Sequence, residues 1–147
     1  MVTSSPKGLL ARAPALGKAT VWHYATLAAA ALALALLFRR QWFFFDEWAF
    51  ITPHGVGIFD PHVGHWSTSP TLVYRLLIAV FGIDNYLPFA LLLITIHLTV
   101  VHLIWRLSIL AGASPGIATA GAAVLAFLGA GAENILWAFQ IGFLISI

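Results

Sequence analysis

Long uncharged runs separated by short polar breaks dominate the chain. Between Lys18 and Arg39 every residue from Ala19 to Phe38 is uncharged, and at about 1.5 Å of rise per residue such a helix covers the roughly 30 Å hydrocarbon core of a bilayer. A second uncharged run extends from Tyr86 to Trp105 and is closed by Arg106; its Ala90-Leu91-Leu92-Leu93 segment favours helix. Gly112, Ser114, Pro115 and Gly116 interrupt the next apolar stretch with turn chemistry. A third span is therefore expected over about residues 117–132, where Gly129 and Gly131 suit close helix contact. Asn134 to Ile147 begins a fourth apolar segment that reaches only about 21 Å at helical rise. It reads as an incomplete span, and the chain as the N-terminal fragment of a membrane protein whose C-terminal portion is missing. Small-x-small triplets such as Ala31-Leu32-Ala33 fall inside the first run rather than after it, so an uncleaved anchor is expected rather than a signal peptide.

The pattern predicts an all-α fold, a polytopic transmembrane helix bundle. Residues 1–18 form a cytoplasmic N-terminal tail and 19–147 the transmembrane domain, with spans at 19–38, 86–105 and 117–132, an incomplete fourth at 134–147, and an outer loop at 39–85. Within the loop, Ser69 as N-cap and Pro70 at the first helical position predict a helix from Pro70 to Phe81, ended by Gly82. At about 18 Å it is too short to span. It is apolar nearly all round except for Thr71, Tyr74 and Arg75, which predicts an interfacial or re-entrant helix.

Composition strengthens the membrane reading. The 147 residues are 61% hydrophobic and 8% charged, whereas ordinary soluble domains are about 25% charged. So few charges leave apolar surface beyond what a soluble monomer tolerates. The net charge of +2 comes from few groups, so membrane lipids are the expected partner and nucleic acid is not. The absence of cysteine excludes disulfides and thiolate metal sites. With the N-terminus inside, Lys7, Arg12, Lys18 and Arg106 face the cytoplasm, against Arg39, Arg40 and Arg75 outside. This small basic excess predicts a multi-pass cell-membrane protein with a cytoplasmic N-terminus.

Candidate chemistry concentrates in the outer loop, which holds four of the 5 acidic residues and three of the 6 histidines. Trp42, Phe43, Phe44, Phe45, Trp48 and Phe50 surround Asp46-Glu47. The aromatics alone suit an interfacial belt. Carboxylates so close to hydrocarbon persist where they pair, line an aqueous cavity or do work; pairing with Arg39 and Arg40 on a continued helix is one alternative. Asp60, His62 and His65 lack a recognisable zinc frame, and solvated loop histidines are the simpler reading. Arg75 projects toward phosphate, either a lipid headgroup or a substrate. Inside the membrane, His97 and His102 lie on different faces of their helix, each suited to an interhelical hydrogen bond. Glu133, Trp137 and Gln140 fall on one face at the start of the fourth segment, as the floor of a cavity or as packing glue.

An acidic pair just outside the first transmembrane helix, followed by a long outer loop with interfacial helices, resembles the N-terminal end of the GT-C superfamily of integral-membrane glycosyltransferases. The Pro61-His62-x-x-His65-Trp66, Pro70-x-x-x-Tyr74-Arg75-Leu76-Leu77 and Phe81-Gly82-x-x-x-Tyr86 segments are similar to bacterial multi-pass proteins of that kind. So is Glu133-Asn134-Ile135-Leu136-Trp137-Ala138-Phe139-Gln140. The resemblance implies a polyprenyl-phosphate sugar donor used at the extracytoplasmic face. It implies that Asp46, with Glu47 beside it, binds or deprotonates the acceptor or helps hold Mg²⁺ or Mn²⁺. Arg75, His65, Glu133 and Gln140 are then the candidate substrate-binding residues. The compact His-Pro-x-Tyr element of some members is spread here over His65, Pro70 and Tyr74. Family members have many more spans, so the fragment alone is expected to be inactive. A carboxylate shielded by aromatics is suited to take a proton from the acceptor hydroxyl, and Asp46 is that candidate. Two other classes stand beside this reading. One is a transporter segment with His97, His102, Glu133 and Gln140 along a pathway; the other is a non-catalytic structural membrane subunit.

Overall fold

The computed structural model describes residues 17–52, 54–127 and 136–142. Glu133, Gly129 and Gly131 lie outside the described residues. Helix α1 (Lys18–Phe38) leads into a short α2 (Glu47–Ile51), a hairpin of β1 (Pro61–His62) and β2 (His65–Trp66), α3 (Thr68–Phe81), α4 (Leu87–Leu110) and α5 (Pro115–Ala126). A 3-10 turn, Ala138–Gln140, closes the described chain. Among the described residues helix dominates, and strand is confined to the one antiparallel hairpin.

Helices α1 and α4 are long and apolar enough to cross a membrane. Each buries a single stripe: His23, Ala30, Leu34 and Phe38 on α1, and Phe89, Ala90, Leu93, Ile94, His97, Val101 and Trp105 on α4. These spacings of three, four and seven are one helical face. The two helices run antiparallel. Phe38 at the end of α1 stacks on Tyr86 just before α4 at 6.2 Å, and His23 near the start of α1 stacks on Trp105 near the end of α4 at 4.1 Å. Helix α5 packs against both, presenting Ala118, Ala122 and Ala126. Alanine every fourth residue lets backbones approach closely, as small-residue stripes do between helices in lipid.

The outward faces are apolar. Leu32, Leu36 and Leu37 on α1, Leu103, Leu107 and Leu110 on α4 and Val124 on α5 are all exposed. Helix α3 has the same inverted order: Thr71 and Tyr74 are buried while Leu72, Leu76 and Val80 face outward.

Several boundaries differ from the sequence expectation. Helix α4 runs past Arg106 to Leu110, because one charge on a helix surface does not break the backbone pattern; the stop comes at Ala111 and Gly112, whose φ is 94°. Helix α3 begins at Thr68 with Ser67 as its N-cap, two residues before the expected start, and ends at Gly82 (φ 71°) as expected. Helix α5 starts on Ser114, whose hydroxyl accepts from Ile117 N at 3.4 Å with Pro115 in the first turn, and it ends at Ala126 after 12 residues, short of the span expected over 117–132 and of the length a bilayer core needs at about 1.5 Å per residue. Where a continuous fourth helix was expected, Trp137 is extended and a 3-10 turn follows.

The two histidines of α4 make the interhelical contacts that their faces predict. His102 meets His23 of α1, Nδ1 to Nε2, at 3.1 Å. His97 Nε2 reaches the Ala126 carbonyl of α5 at 3.4 Å. The Trp105 indole donates to Thr119 at 3.1 Å, and Thr119 donates to the Ala19 carbonyl at 3.2 Å. A polar seam therefore ties α1, α4 and α5 at the end that carries Lys18 and Arg106.

Candidate functional site

The opposite end of the helices carries the acidic pair, and the backbone turns its two members in opposite directions. After α1 stops at Phe38, Phe45 adopts a left-handed φ of 50°, and Asp46 becomes the N-cap residue of α2. Phe45 redirects the chain so that Glu47 points inward and Asp46 outward.

Glu47 has no solvent exposure. Its Oε2 accepts from Phe44 N at 2.7 Å. Its Oε1 accepts from Tyr74 Oη at 2.5 Å and from Tyr86 Oη at 2.9 Å. Tyr86 Oη in turn accepts from Ala138 N at 3.1 Å. One carboxyl thus joins α2, α3, the start of α4 and the 136–142 segment, with aromatic packing from Phe43, Phe50 and Phe89 around it. Burial pushes the Glu47 carboxyl above its ordinary value, against the donations of Tyr74, Phe44 and Tyr86 that pull it down. Burial, then the neighbouring carboxyl, pushes both phenols up, so they remain protonated donors.

Asp46 faces a cavity of about 490 Å³, walled by Phe50, His62, Trp66, Trp137, Phe139 and Gln140. Its Oδ1 lies 3.6 Å from His62 Nε2, with the side chains 27% and 17% exposed respectively. The hairpin brings His62 there. Val63 (φ 48°) and Gly64 (φ 79°) make its two-residue turn with positive φ at both central positions, the requirement of a type I′ hairpin turn. Pairing of His62 with His65 and Pro61 with Trp66 then presents His62, His65 and Trp66 to the same cavity. A few polar groups among aromatic walls are the usual make-up of a small-molecule pocket.

Of the predicted site residues, Asp46, His65 and Gln140 come together on this cavity. Gln140 arrives through the 3-10 turn rather than through an α-helical face. Glu47 lies behind it, wholly buried. Arg75 lies elsewhere: its Nη2 donates to the Val56 carbonyl at 2.9 Å, and it lines a separate groove with Ile51, Thr52 and Ile78. Glu133 is outside the described residues. Neither carboxylate pairs with Arg39 or Arg40 among the described residues, because α1 ends before them and Asp46 faces His62. Both Glu47 oxygens are already taken by three donors, so the acidic pair does not fit Mg²⁺ or Mn²⁺ held jointly. Asp60 accepts from Gly57 N at 3.1 Å, and no three metal-ligating side chains cluster among the described residues.

His62 was the residue least visible in the sequence. Its signal was the x-Gly dipeptide between His62 and His65, a weak hairpin cue because valine is a poor occupant of a left-handed position. No protein-family model matches the chain, and no curated protein or solved structure is significantly similar to it.

Proposed function

We propose that this chain forms the acceptor side of a multi-pass membrane glycosyltransferase of the GT-C kind, which uses a polyprenyl-phosphate sugar at the extracytoplasmic face. The observation that carries the reading is Asp46 on the wall of an aromatic cavity at the helix end remote from Lys18 and Arg106. Apolar outward faces on α1, α3 and α4 support a polytopic bundle in lipid, with α3 lying in the outer interface. Trp66, Trp137 and Phe139 offer flat apolar surfaces suited to the C–H faces of a sugar, and Asp46 and Gln140 offer polar groups for its hydroxyls. In this reading Asp46 belongs to the group that activates the acceptor hydroxyl as it attacks the anomeric carbon, a step to which a positioned base contributes about 10²- to 10⁴-fold. A structural-subunit reading draws on Glu47, whose contacts are wholly internal.

Asp46→Asn in the full-length protein separates these readings. Loss of sugar transfer at unchanged abundance supports the enzyme, whereas falling abundance supports the structural role and retained transfer overturns the assignment of Asp46. A topology reporter beside Asp46 found on the cytosolic side removes the donor from reach and ends the proposal.

A further inference from the structure

We infer that His62 is the group that takes the acceptor's proton, with Asp46 orienting the imidazole and stabilising the charge it gains. The chemistry of this inference rests on the glycosyl-transfer reading; its geometry does not. His62 Nε2 faces Asp46 Oδ1 at 3.6 Å, and this nitrogen is buried with no hydrogen-bond partner. The ring is held by edge contacts to Phe50 at 5.5 Å and to Phe139 at 6.1 Å. An imidazole fixed by packing and facing a carboxylate through one nitrogen leaves the other for substrate, the arrangement of a base oriented by a third group.

The backbone supplies an independent observation. Among the described residues, Phe45 and Val63 are the non-glycine residues with left-handed φ, at 50° and 48°. Phe45 immediately precedes Asp46, and Val63 immediately follows His62. A β-branched valine in this region is an outlier that costs about 1–2 kcal/mol, and such strain gathers where surrounding structure holds functional groups in place. Both strained residues flank the two members of this one pair.

The acceptor O–H proton passes to His62 Nδ1, and the acceptor oxygen bonds to the anomeric carbon of the polyprenyl-phosphate sugar. The bond from that carbon to the phosphate oxygen breaks, and its electron pair leaves with the lipid phosphate. The imidazolium so formed faces the Asp46 carboxylate. Asp46 is then a positioning residue and His62 the catalytic one.

The test uses the full-length protein in proteoliposomes with radiolabelled undecaprenyl-phosphate glucose, and water or a methyl pyranoside as acceptor. His62→Ala is expected to lower sugar release by about 10²- to 10⁴-fold at unchanged melting temperature, with added imidazole restoring part of it. Asp46→Asn is expected to lower release without imidazole rescue. A His62→Ala protein that keeps more than a tenth of the rate while Asp46→Asn is inactive overturns the inference and leaves Asp46 as the base. A second arm needs no turnover: acylation by diethylpyrocarbonate at about pH 8, where an ordinary imidazole is neutral, followed by peptide mass. A carboxylate facing Nε2–H makes Nδ1 more nucleophilic, so His62 is expected to react several-fold faster in the wild type than in Asp46→Asn. Equal rates overturn the pair whatever the transfer assay gives. Unequal rates without sugar release uphold the pair and count against the glycosyl-transfer reading.

Discussion

Tyr74 Oη donates to Glu47 Oε1 at 2.5 Å, joining α3 to α2 where Glu47 has no solvent exposure. The same carboxyl oxygen accepts from Tyr86 at 2.9 Å, so one side chain satisfies two buried phenols, one from α3 and one from the residue that caps α4. Glu47→Ala strands both, and is expected to cost about 3 kcal/mol or more, read as a lowered melting temperature in detergent. Glu47→Gln keeps an acceptor for the tyrosines and turns an amide toward Phe44 N–H, so its loss should be intermediate. An alanine variant as stable as the wild type refutes this role for Glu47.

The same residue sets a pH dependence. Its folded carboxyl sits above the ordinary value of 4.5 because of burial, so between those values the folded state binds more protons than the unfolded one. Stability is therefore expected to be full below about pH 4.5 and to fall as pH rises through the raised folded value, levelling beyond it. Melting curves across this window check the sign, and Glu47→Gln should flatten the slope. Stability that rises across the same window in the wild type, and not in the variant, contradicts it.

Val63 is 72% exposed, so its substitution removes little packing. Asparagine tolerates a left-handed φ better than valine, and Val63→Asn is expected to stabilise by about 1 kcal/mol. Val63→Gly should gain less, since glycine also adds freedom to the unfolded chain. Hydrogen exchange of the hairpin amides, together with the melting temperature, reads the effect. A loss of stability with asparagine would mean that the turn is held by something other than its backbone preference.

His23 is fully buried, its Nε2 meets His102, and its Nδ1 has no partner. His102→Ala leaves the whole imidazole unpaired inside the bundle and is expected to cost about 1–3 kcal/mol. Replacing both histidines by leucine should recover part of that loss, because an apolar pair carries no unsatisfied group. A double-mutant cycle measures the coupling, and additive single losses would show that the contact between α1 and α4 contributes nothing.

Gly55 admits no side chain. A Cβ there would lie 1.9 Å from the Ala49 carbonyl oxygen, which itself accepts from Val56 N at 2.8 Å. Gly55→Ala is expected to displace this turn from α2 and to cost about 2 kcal/mol or more. It should also shift the Val56 carbonyl that receives Arg75. An alanine protein with wild-type melting behaviour would sink the close-approach argument.

The main helices were legible in the sequence because lipid-length apolar runs bounded by charge, glycine or proline depend on local composition. Ala19 to Phe38 anticipated α1 almost to the residue, Gly82 ended α3 as expected, and the opposed faces of His97 and His102 follow from helical rotation alone. The Asp46-Glu47 pair was visible as chemistry, but its division of labour was not. Adjacent acids look equivalent in a string, and only the left-handed Phe45 and the arrival of Tyr74 and Tyr86 bury one and leave the other at a cavity. His62 was hidden for the same reason, since its partner comes from another element across a hairpin that valine disguises. Local composition determined where helices form and that they suit lipid. Tertiary structure decided which polar groups meet, because long-range contacts depend on chain direction, and chain direction turns on a few backbone angles that composition does not specify.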